Sequence, residues 1–256
     1  MYHINIAFLL INAAMLLFLP RRWAPLPLLV VTCLMTLGQG IELGPLHFTV
    51  LRMLLFVGFA RVIIRGERLV GWMNSLDWLM VVWASWALIS SFFYTDTSGV
   101  FVNRLGVVYD ACGTYFLLRV FCQSLDDVVR LCRITAILLV PLAVAMLYEK
   151  VMAYNLFSVF GDVSEISAMR GDKIRAQGSF AHPILAGTVG ATCLPLMIGL
   201  WQLHRHTAIA GILACVTMIV ACTSSGPILS AMAATGALFL WHWRNKMNWF
   251  FFSVFA

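Results

Sequence analysis

Apolar runs of near-spanning length recur along the whole chain. A backbone placed in hydrocarbon must satisfy its own hydrogen bonds, which an α-helix does. The runs cover roughly 4–20, 24–38, 48–64, 77–94, 107–122, 131–149, 183–202, 207–222 and 226–243, and a tenth begins at 249–256. Charged residues make up only 11% of the sequence, against roughly a quarter in a soluble domain, so no soluble domain is visible. The expectation is an all-α fold: a polytopic transmembrane helical bundle of about nine to ten spanning segments with one long outer loop. Residues 1–256 form a single membrane domain on this reading, with the loop at 150–182. Several runs are near 16 residues, short for a hydrocarbon core of about 30 Å. The first two, joined only by Pro20–Trp23, also fit a tight hairpin.

The amino terminus does not read as a cleavable signal. Its apolar run lacks a preceding Lys or Arg, and Arg21 and Arg22 follow it, the reverse of a signal peptide's charge order. That order places the amino end outside. Eleven Arg and Lys residues (21, 22, 61, 65, 68, 119, 130, 133, 205, 244 and 246) then face the cytoplasm, against six outside (52, 104, 150, 170, 173 and 175). In the short loops the ratio is eleven to two, which orients the chain by the positive-inside rule. The long loop falls on the outer face, the periplasm in a Gram-negative bacterium. At the other end, 249–256 begins a spanning segment and stops after eight residues. The expectation is the front part of a longer protein, either a truncated product or a fragment.

The net charge of +6 suits loops facing an anionic membrane surface. The basic residues form no continuous stripe, so nucleic acid is not an expected partner. The seven cysteines, at 33, 112, 122, 132, 193, 215 and 222, contain no CxxC pair and read as small apolar fillers, with no metal site.

Chemistry concentrates in four places. The long loop closes with Arg170, Lys173, Arg175 and His182 set against the start of an apolar helix. A guanidinium fork matches phosphate oxygens, and the head of a polyprenyl diphosphate lies at that depth. Anchoring to lipid headgroups, or pairing with Asp172 and Glu165, accounts for the same residues. Tyr154–Phe160, in the same loop, is apolar enough to lie in the interface. Arg52 sits slightly inside its apolar segment, where a charge faces a partner or a cavity. Asp110 and Tyr109 lie at similar depth and Arg104 just above, so Arg52, Arg104 and Asp110 form a candidate outer cluster; snorkelling of Arg52 is the plainer account. His182 is a candidate general base, although a His before Pro also serves as a helix cap. Thr223-Ser224-Ser225-Gly226-Pro227 is an outer break, read as a tight turn or as the floor of a cavity.

P-loop, GxGxxG, HExxH and GxSxG patterns are missing, as is the Asp-x-Asp of metal-dependent sugar-nucleotide transferases. A lipid-linked donor needs neither nucleotide nor metal.

Arg175-Ala-Gln-Gly-Ser-Phe-Ala-His182-Pro183, followed by Leu185-Ala186-Gly187, resembles the element that ends the long outer loop in the O-antigen ligase and O-antigen polymerase superfamily. Leu51-Arg52 resembles that family's early Leu-Arg helix. Thr223-Ser224-Ser225-Gly226 sits where members often show Thr-Ser-Arg-Gly. Ser225 stands in place of that Arg, so a charge role there is not carried over. The resemblance spans roughly 48–240.

It implies a multi-pass glycosyltransferase of the bacterial inner membrane. Such a protein takes a polyprenyl-diphosphate-linked glycan and passes it to a glycan, lipid or core-oligosaccharide acceptor, without cofactor. Arg175 would hold the donor diphosphate and stabilise the leaving group. Arg52, Arg104, Arg170 and Lys173 are further candidate substrate contacts, Arg52 as a second phosphate contact. The resemblance places the base on a His in a later outer loop, beyond segment ten, so the chain alone is expected to have little transferase activity. A transporter or flippase of a lipid-linked or anionic solute, and a non-catalytic membrane subunit, are the rival readings. A transporter should show an internal repeat with broken helices, and none is visible.

Overall fold

Each of the first nine apolar runs folds as an α-helix in the computed structural model, which describes residues 2–36, 40–43, 46–94 and 97–241. In chain order these are α1 (Tyr2–Phe18), α2 (Pro25–Leu34), α3 (Val50–Arg65), α4 (Ser75–Ile89), α5 (Thr97–Phe121), α6 (Leu125–Met152), α7 (Pro183–Gly199), α8 (Arg205–Ala221) and α9 (Ser225–Leu240). Helix α5 starts ten residues before the apolar run expected at 107, so Arg104 is helical. Three helical stretches are long and apolar enough to cross a membrane: Ser75–Phe93, Leu125–Met152 and Pro183–Gln202. Three more apolar helices, Asn5–Phe18, Arg205–Ala221 and Ser225–Leu240, are shorter. These stretches mark a helical membrane protein. The tenth segment at 249–256, and the cytoplasmic placement of Arg244 and Lys246, fall outside the described residues.

Two small antiparallel hairpins interrupt the helices. Strands β1 (Gly40–Leu43) and β2 (Leu46–Thr49) pair ahead of α3. Strands β3 (Ala168–Arg170) and β4 (Lys173–Arg175) pair inside the long loop. A Gly-Asp pair between short alternating runs is a hairpin signal, and Gly171–Asp172 supplies it here.

The chain divides into two compact units, Met1–Ile134 with Val159–Asp162, and Thr135–Ser158 with Val163–Ala256. In the first, Leu16, Leu28, Leu54, Leu55, Leu117 and Phe121 form a buried core drawn from α1, α2, α3 and α5. Arg61, counted above among the cytoplasmic charges, is 1% exposed. Its guanidinium donates to the carbonyls of Leu16 and Leu19, pairs with Glu67 at 2.8 Å and lies over the Phe121 ring. Arg65 donates to the carbonyl of Leu17. The two arginines thus satisfy the orphan carbonyls at the end of α1, where cations are also favoured by the helix dipole.

Helix α4 begins with a reciprocal capping box between Asn74 and Asp77. The Asp77 carboxylate, fully buried, accepts from Tyr115 at 2.7 Å and from Arg119 at 3.1 and 3.0 Å. A buried carboxylate in an apolar bundle requires such partners. Trp78, Trp83 and Trp86 of the same helix point outward.

In the second unit, α7 packs against α8 and α9. A methyl built on Gly190 would sit 2.9 Å from the carbonyl oxygen of Cys215, and one on Gly187 would run into Cys222 and Pro227. Small residues allow this approach between helices. Cys215 and Cys222 are fully buried there, as expected of small fillers.

Candidate functional site

The long loop is tied to the end of α6 by one carboxylate. Glu149 has no solvent exposure. One of its oxygens accepts from Ser167 Oγ at 3.1 Å, and the other from the backbone N–H groups of Gln177 at 3.1 Å and Gly178 at 2.8 Å. Asn155 makes the second tie. Its amide donates to the carbonyl of Gly178 at 2.9 Å, and its side-chain oxygen accepts from Phe157 N at 2.9 Å. Gly178 therefore gives both backbone groups to buried side chains. It holds φ at +60°, and a Cβ there would lie 3.0 Å from Met146 Cγ. Both facts demand glycine. Asn155 belongs to Tyr154–Phe160, the stretch expected to lie in the membrane interface. Instead, Phe157 is buried in a short 3-10 turn, Leu156–Phe160, beside the Asn155 anchor.

These ties hold the Arg175–Pro183 element against the carboxyl end of α8. Ala176 N donates to the carbonyl of Ala221 at 3.1 Å. Arg175 Nε donates to the carbonyl of Cys222 at 3.4 Å. Its Nη2 is buried and has no hydrogen-bond partner among the described residues. Lys150, one residue beyond Glu149, donates to the carbonyl of Ile174 and to Thr223 Oγ1. Two cations thus converge on residues 221–223, with no carboxylate bonded to either among the described residues. Thr223 has φ +49°, an outlier for a β-branched side chain, and such strain gathers at functional sites. Its hydroxyl also donates to the carbonyl of Ile174 at 3.1 Å. Lys150 was not foreseen as a member of this site, whereas Thr223 opens the break read as a tight turn or as the floor of a cavity. The visible signals were a Lys directly at the end of an apolar run and a Thr opening a polar break.

The remaining candidates separate. Arg170 and Lys173 face each other across the β3–β4 register, exposed, with no ion-pair partner among the described residues. His182 is exposed and caps α7, its Nδ1 accepting from Ile184 N at 3.3 Å. A neutral imidazole accepting at Nδ1 carries its proton on Nε2 and presents a donor there. To accept a hydroxyl proton, His182 would have to leave the cap. Ser225 opens α9, and its neighbour Ser224 is the N-cap residue.

In the first unit, Arg52 has found a partner instead of snorkelling. Its Nε bonds both Asp110 oxygens at 3.1 and 3.2 Å, and its Nη2 one of them at 3.0 Å. Tyr109 Oη donates to the carbonyl of Arg52 at 3.3 Å. Arg104 lies in α5 without a hydrogen-bond or ion-pair partner among the described residues, so it does not join the pair. The guanidinium of Arg52 rests on the backbone of α5 at Gly106, where a Cβ would approach Arg52 Cζ within 2.7 Å. Gly106→Ala is expected to push the guanidinium off Asp110. The side chains are 21% and 30% exposed, so the cost should be about 1 kcal/mol. Thermal denaturation checks this, and the loss should vanish when Asp110→Asn is already present. An equal loss in both backgrounds would refute the contact.

Glu, His, Cys and Asp residues gather nowhere in a metal-binding group among the described residues. The second-unit site offers charge and hydrogen bonds for an anion, held by a rigidly tied loop. The fold and this site define a helical membrane protein with a cationic anchor at the end of its longest loop. No family model, curated protein or solved structure matches the chain.

Proposed function

We propose that this chain is a membrane glycosyltransferase of the O-antigen ligase type. On this reading it is a bundle of nine to ten spans in the bacterial inner membrane, with its amino end and residues 150–182 outside. The donor is a glycan on polyprenyl diphosphate, and the acceptor a glycan, lipid or core oligosaccharide. An acceptor hydroxyl attacks the anomeric carbon of the donor sugar. The bond from that carbon to the phosphate oxygen breaks, and its electron pair leaves with the polyprenyl diphosphate. The hydroxyl proton passes to a base other than His182 in its capping position. Arg175 binds the diphosphate and stabilises the charge growing on the leaving oxygen, with Lys150 beside it. Arg170 and Lys173, exposed on their hairpin, draw the anion in.

The observation that carries this reading is the buried Nη2 of Arg175 that lacks an acceptor. A buried unpaired donor is costly, and a phosphate oxygen would relieve it. Purified full-length protein in vesicles, given radiolabelled polyprenyl-diphosphate glycan and acceptor lipid, should move label covalently to the acceptor without nucleotide or metal. Translocation alone would identify a transporter, and neither outcome a non-catalytic subunit.

A further inference from the structure

The cationic pair stands at one end of an apolar groove. Helices α6 and α8 leave a groove of about 280 Å³ between them. Its floor is Ala143 and Ala214, each 4% exposed; Val144 and Leu147 of α6 and Ala210 and Thr217 of α8 are among its flanking residues. The groove exists because its floor is alanine. Beside Ala210 the two helices approach closely, since a methyl on Gly211 would sit 3.0 Å from Ala136 Cβ. Toward the other end, Leu147 lies three residues before Lys150, and Thr217 four residues before Ala221, whose carbonyl holds the Arg175 strand. At about 1.5 Å rise per residue these are steps of about 4.5 and 6 Å along the two helices. Residues three or four apart share a helix face, so the groove leads toward the Lys150–Arg175 cluster.

We infer that this groove seats the first isoprene units of a polyprenyl chain whose diphosphate is held by Lys150 and Arg175. The inference rests on the reading of Arg175 given above and adds the tail's path. The charges select this occupant. A glycan-bearing diphosphate carries two negative charges for two cations, whereas an ordinary phosphodiester lipid carries one.

Detergent-solubilised protein, titrated with a polyprenyl diphosphate and separately with inorganic pyrophosphate, tests it. Ala210→Leu and Val144→Phe fill the groove from opposite sides at positions that are not fully buried. Each should weaken polyprenyl diphosphate about tenfold and leave inorganic pyrophosphate unchanged. Unaltered polyprenyl-diphosphate affinity in both variants overturns the groove and leaves the Arg175 reading standing. Displacement of bound polyprenyl diphosphate by equimolar phosphatidylglycerol also overturns it. If Arg175→Ala alters neither ligand, the reading of Arg175 falls, and the tail site with it.

Discussion

In the full-length protein, Arg175→Ala should lower glycan transfer by about 10²–10³-fold, the usual loss when one donor to a developing anion is removed. The protein should stay folded. What holds the loop in place is the carboxylate of Glu149, the amide of Asn155 and the backbone bond from Ala176 to Ala221. Among the described residues the side chain of Arg175 gives the protein one bond, to the carbonyl of Cys222 at 3.4 Å. Arg175→Lys keeps the charge and loses the planar fork, so it should fall between the two. Transfer rates measured at equal protein level decide the matter. Wild-type rates in Arg175→Ala would end the case for this residue.

Glu149→Ala should act the opposite way, on stability first. It leaves two backbone N–H groups and one hydroxyl buried without their acceptor. Each such loss costs about 1–3 kcal/mol, so about 3 kcal/mol or more is expected in total. Glu149→Gln keeps one side-chain oxygen and should lose less. The loop at 150–182 should become cleavable by an added protease well below the temperature at which the helices unfold. Wild-type protease resistance in Glu149→Ala would show that the loop is tied elsewhere. The two variants together separate anchoring from chemistry, because Arg175→Ala should leave the loop protected.

Much of the site's framework was legible in the residues, and its meaning was partly misplaced. Gly178 stood inside the Arg175–Pro183 run, and its positive φ and contact with Met146 account for it. His182 before Pro183 read either as a base or as a cap, and it caps α7. Arg52 and Asp110 sat at matching depths in separate segments, and they pair. Arg104, expected just above them, stays apart, because depth along a helix says nothing about the direction a side chain takes around it. Arg61 and Arg119 were counted as loop charges by position. Arg61 is buried at the end of α1, and Arg119 is bonded to Asp77.

The helices follow from local chemistry. A long apolar run must bond its own backbone, and each of the nine does so, α5 and α6 extending beyond the amino ends of their runs. The hairpin at Gly171–Asp172 follows from an equally short signal. The partnerships of the charges depend on which helices become neighbours. Asp77 meets Arg119 across 42 residues, Arg52 meets Asp110 across 58, and Lys150 meets Thr223 across 73. Spacing along the chain does not encode such meetings. They arise when packing excludes water, and each buried charge must then find an acceptor or donor nearby. Among the described residues, Arg175 Nη2 is a buried charged donor that packing left without one.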